Sequence, residues 1–149
     1  MTLASRLSMQ KLMVTEVKSQ ILVNELKLWA RLYLMIWLVF AQFFVTVFSE
    51  IFGVAYLHFV VGLAILVLAV MNYRDLTKTS APDRVKRVSK VMPIMATLNG
   101  LLGIPLYVFT EGTIHWATVV LHLVVALAMF AQASSTATAY DMWEEKEFK

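Results

Sequence analysis

Four stretches of this chain contain no Asp, Glu, Lys or Arg, and they leave little room for anything else. They cover residues 32–49, 51–73, 91–110 and 112–140, with lengths of 18, 23, 20 and 29 residues. A helix that crosses a bilayer needs about 20 mostly apolar residues. Backbone polar groups in lipid must be satisfied within the segment, which favours helices over isolated strands. The runs do not alternate as β-barrel strands would. Composition agrees: 60% of the 149 residues are hydrophobic and 15% are charged, too apolar for a soluble domain. These features exclude a soluble enzyme, a disordered chain and a nucleic-acid module. The expected fold is an all-α integral membrane protein, a four-transmembrane-helix bundle.

All thirteen Lys and Arg fall on one side of that topology. Five precede the first span, six lie between the second and third (Arg74, Lys78, Arg84, Lys86, Arg87, Lys90), and two are in the C-terminal tail. The positive-inside rule then puts both termini in the cytoplasm. The expected organisation is a cytoplasmic amphipathic N-terminal segment over 1–27, a bundle over 28–140 and a cytoplasmic tail over 141–149. The spans are expected at about 30–50, 54–73, 92–110 and 116–138. Leu3, Leu7, Met13, Val17, Ile21 and Leu22 give the N-terminal segment the spacing of an interfacial helix or a partner-docking helix. Pro93 is expected in the first turn of the third helix, and Pro105 is expected to kink that helix. The expected setting is a multi-pass protein of a prokaryotic plasma membrane, its basic residues attracting anionic lipid heads.

The histidines all fall on the opposite side: His58, His115 and His122, with only Glu50 and Glu111 as acids there. Ionisable residues within a membrane usually mark function. At 1.5 Å per residue, His58 lies about 6 Å and His122 about 9 Å inside the outer boundary, on helices running the same way. Two imidazoles at matched depth suit a bis-histidine haem, one histidine on each face of the iron. Gly62 and Ala126, one turn below each histidine, would leave room for the macrocycle, or would serve helix packing. The chain has no cysteine, so a covalently attached c-type haem is impossible and haem b is the expected cofactor, with His58 and His122 on the iron. Two other readings stay open: a Zn or Cu site drawn from Glu50, His58, Glu111, His115 and His122, or histidines that only hydrogen-bond between helices. A faint repeat, F-[S/T]-E followed by H-x-V-V-[G/A]-L-A, relates residues 48–64 to residues 109–128.

These histidine segments resemble the heme A synthase family, built from two four-helix halves. The matching stretches are His58-Phe59-Val60-Val61-Gly62-Leu63, Leu98-Asn99-Gly100-Leu101-Leu102-Gly103-Ile104, and residues 121–130 around His122. The resemblance spans roughly residues 30–138 and implies one four-helix half with a haem between its second and fourth helices. The chain departs from the family in a short first outer loop without cysteines, and in Phe59 where a basic residue is usual.

Three functions follow as expectations. The first is a cytochrome b-like subunit that transfers electrons in a respiratory or other membrane redox complex, with quinol or another membrane protein as partner. The second is a half-size heme A synthase-like enzyme oxidising a haem side chain, with Glu50, Glu111 and His115 as candidate catalytic residues; a homodimer would restore two haem sites. The third is a cofactor-free accessory subunit of a larger membrane complex, its support being the aromatic first span (Trp29, Tyr33, Trp37, Phe40, Phe43, Phe44).

Overall fold

A computed structural model describes Met13 and residues 27–45 and 54–147. Among the described residues it shows four long helices, α1 (Lys27–Val45), α2 (Val54–Lys78), α3 (Asp83–Val108) and α4 (Gly112–Glu147). All four are long and apolar enough to cross a membrane. The amphipathic segment expected before residue 27 lies outside the described residues, apart from Met13.

The helices are longer than the charge-free runs. α3 begins at Asp83, next to Pro82, eight residues before its apolar run. Pro93 is therefore inside the helix and not in its first turn. α4 has 36 residues, which is about 54 Å of helix against an apolar bilayer core of about 30 Å. Only residues 79–82 separate α2 from α3. Thr79 Oγ1 donates to the Leu76 carbonyl and accepts from Ala81 N–H, which closes that turn. At the other end, Gly112 sits at φ +90°, a conformation that glycine adopts without the Cβ penalty.

The buried positions repeat with the same spacing on every helix. α1 buries Leu28, Leu32, Met35 and Val39; α2 buries Ile65, Ala69, Asn72 and Leu76. α3 buries Val85, Ser89, Met92 and Ala96; α4 buries Met129, Ala133, Thr136 and Tyr140. Each set advances by four, three and four residues, the heptad spacing of a left-handed bundle. Antiparallel neighbours stack these positions into four layers. From the basic end they are Leu28, Leu76, Val85 and Tyr140; then Leu32, Asn72, Ser89 and Thr136; then Met35, Ala69, Met92 and Ala133; then Val39, Ile65, Ala96 and Met129. The last two layers together make one apolar cluster, and the first layer, with Leu32 and Ala137, makes another. The third layer alternates Met and Ala around the axis, so that large side chains meet small ones.

Among the described residues, every fully buried one lies in the basic half of the bundle and none in the histidine half. Polar groups lock the basic half. Arg31 Nη2 bonds Asp75 Oδ2 at 2.6 Å, and Lys78 Nζ bonds Asp75 Oδ1 at 3.0 Å. Tyr33 donates to Asp141, and Asn72 Nδ2 donates to the Arg31 carbonyl at 3.3 Å.

Asp75 lies beyond the apolar run that ends at Tyr73. The hydrogen bond from Arg31, and then that from Lys78, hold its carboxyl below the usual carboxylate range. A depressed native pKa contributes stability that is present above the unfolded-state value of about 4 and is lost as pH falls through the native one. Detergent-solubilised protein is therefore expected to lose stability below about pH 4. Asp75→Asn should flatten that limb of the unfolding-against-pH curve. An unchanged limb in Asp75→Asn would assign the acid sensitivity to other carboxylates.

Candidate functional site

Continuing the four-three spacing into the histidine half changes the chemistry of the seam. The next layer is Gln42, Gly62, Asn99 and Ala126, and the one after holds His58, Gly103 and His122. Large apolar side chains give way to polar and very small ones. The close contacts agree with this stacking. Gln42 Nε2 donates to the His58 carbonyl at 2.9 Å. A side chain at Gly62 would begin 3.5 Å from the same Gln42 nitrogen. His122 Nδ1 lies 3.1 Å from the Asn99 carbonyl oxygen; since a carbonyl only accepts, Nδ1 carries the proton. One at Gly103 would begin 3.8 Å from His122 Cε1. The His58 and His122 rings lie side by side, their centroids 6.1 Å apart and tilted by 44°.

The other expected site residues lie apart from this layer. His115 Nδ1 bonds the Phe109 carbonyl at 2.7 Å, and its ring meets Trp116 edge-on. It thus pins the α3–α4 turn. Glu111 is exposed in that turn, and Glu50 lies outside the described residues.

This arrangement overturns the haem reading. Among the described residues, no group of three or more His, Cys, Asp or Glu side chains comes together to hold a metal ion. The room that Gly62 was expected to leave for a macrocycle is taken by Gln42, and the His122 ring packs on the α3 backbone at Gly103. The haem b cofactor is withdrawn, and with it the axial role of His58 and His122. The cytochrome b-like, electron-transport and respiratory-chain readings go with it. So does the half-size synthase, whose chemistry needs the same haem. The alternative Zn or Cu site fails among the described residues for want of converging ligands.

Sequence reasoning missed Gln42, and took Asn99 only as part of the segment over residues 98–104. The signal was the heptad: Leu28, Leu32, Met35 and Val39 lead to Gln42 on α1, and Val85, Ser89, Met92 and Ala96 lead to Asn99 on α3. Asn99 Oδ1 is buried without a hydrogen-bond partner. Beside the fourth and fifth layers, an apolar cleft of about 330 Å³ opens between α1 and α4, lined by Phe40, Phe43, Phe44, Leu127 and Phe130. Neither histidine lines it. Phe40 and Phe130 meet across the cleft with centroids 6.0 Å apart.

The chain matches no family model, no curated protein and no solved structure.

Proposed function

We propose that the chain is a cofactor-free accessory subunit of a larger membrane complex, spanning the bilayer four times with its basic end in the cytoplasm. One observation carries this reading: polar side chains within the spans reach for backbone carbonyls of neighbouring helices. Gln42 bonds the His58 carbonyl, His122 the Asn99 carbonyl, Asn72 the Arg31 carbonyl and Gln132 the Val88 carbonyl. Such bonds join helices in lipid, where association cannot draw on hydrophobic burial. They hold a scaffold together and do not converge on a substrate. The resemblance to one half of a heme A synthase enters this reading only as a suggestion about helix arrangement.

The surface offered to a partner is the aromatic face of α1. Trp37 and Phe44 are 65% and 54% exposed, and Phe40 joins them edge to face. Aromatic residues are favoured anchors at protein interfaces.

Blue-native electrophoresis of membranes carrying the tagged full chain tests the proposal. The chain is expected to migrate in an assembly with other subunits, and Trp37→Ala/Phe44→Ala to release it with helical content unchanged. The released chain should show no haem absorption band. Migration as a monomer or as a pure homo-oligomer overturns the accessory role, and a reduced b-type band overturns the cofactor-free assignment.

A further inference from the structure

The basic end of the bundle is not uniformly basic. On α3, the seam runs through Val85, Ser89 and Met92, so Arg84, Arg87 and Lys90 occupy the positions facing away from the bundle, and all three are exposed. On α2, Arg74 also faces outward and is exposed. Among the described residues none of these four cations forms an ion pair; the acid of this corner that does is Asp75, held by Arg31 and Lys78. The far end of α4 carries the opposite charge, with Asp141, Glu144, Glu145 and Glu147 around Lys146. The rim is therefore split into a cationic α2–α3 corner and an anionic α4 end.

The height of the cations selects their partner. Arg74 directly follows the apolar run of α2, and Lys90 directly precedes that of α3. At 1.5 Å per residue, Lys90, Arg87 and Arg84 stand about 2, 6 and 10 Å beyond the apolar boundary. The headgroup zone of one leaflet is about 5–8 Å deep, and long cationic side chains bend toward it. We propose that the α2–α3 corner binds the phosphodiester headgroups of anionic glycerophospholipids, through Arg74, Arg84, Arg87 and Lys90. Arginine suits this role because its planar donors engage phosphate oxygens in pairs. The acidic α4 end repels the same lipids. Anionic lipid thus collects on one flank of the bundle and leaves the other flank to protein.

The full chain reconstituted in phosphatidylcholine bilayers tests this, with spin-labelled phosphatidylglycerol and phosphatidylcholine as probes of lipid association. Phosphatidylglycerol is expected to associate more strongly at low salt, with the preference weakening as salt screens it. Arg84→Gln/Arg87→Gln/Lys90→Gln should lower the preference by at least about fivefold, the weight of a single cation near an anionic surface. Lys27→Gln/Lys146→Gln, on other helices, should leave it in place. If the triple variant fails to insert, Arg87→Gln alone should lower the preference part-way. The absence of a preference in the native chain overturns the proposal, as does its survival in the α3 variants. At constant ionic strength, displacement of the labelled lipid by inorganic phosphate and not by chloride would assign the cations to a soluble anion and overturn it equally.

Discussion

Met92→Ala is expected to lower the free energy of unfolding by about 2–5 kcal/mol. Met92 is 1% exposed in the third layer, between Ala69 and Ala133. Truncation leaves a cavity that the two alanines are too short to fill. In lipid the transfer of apolar surface contributes little to helix association, so the loss is of packing contacts and the effect falls toward the lower end of that range. Leu98→Ala is the control. Leu98 lies on the same helix, 49% exposed, and its truncation should change stability by less than about 0.5 kcal/mol. Reversible unfolding in mixed micelles reads both variants. Equal losses would mean that α3 does not present its heptad face to the bundle.

Ala133→Leu is expected to cost about 1–3 kcal/mol by the opposite mechanism. Ala133 is fully buried in the same cluster as Met35 and Met92, so the added methylenes must displace neighbouring side chains. Ala131→Leu, at an exposed position two residues away, should be near neutral. Because Ala133 and Met92 share a layer, their effects should not add. The double variant Met92→Ala/Ala133→Leu is expected to recover part of both losses, the new leucine filling the vacated space. Strict additivity in the double-mutant cycle would refute the layer assignment.

The four helices were legible in the chain because charge-free runs measure how much apolar length is available. Helix ends were less legible for the same reason. Arg74 and Arg84 are good helix formers and continue the backbone pattern past the apolar runs of α2 and α3, so Pro93 ends up inside α3. The matched depth of His58 and His122 could be counted from their positions. What fills the space beside them could not. Gln42 comes from α1 and Gly103 from α3, and their approach depends on the seam that all four helices share. That seam escaped notice because the hydrophobic faces of the spans are masked by apolar residues pointing the other way, toward lipid. In a water-soluble bundle those positions would be polar and the heptad would stand out.

The uneven packing along the axis also governs how the bundle yields. Sixteen interlocked positions tie the helices at one end, while the other end has a polar, glycine-rich axis and an open aromatic cleft. The molecule is built like a clothes-peg, clamped at the base and slack at the jaws. The cleft borders the clamped end, since Phe40 and Phe130 follow Val39 and Met129 of the fourth layer and Phe130 packs on the same apolar cluster. Tight and loose packing lie at opposite ends of the bundle, so a substitution can alter one with little effect on the other.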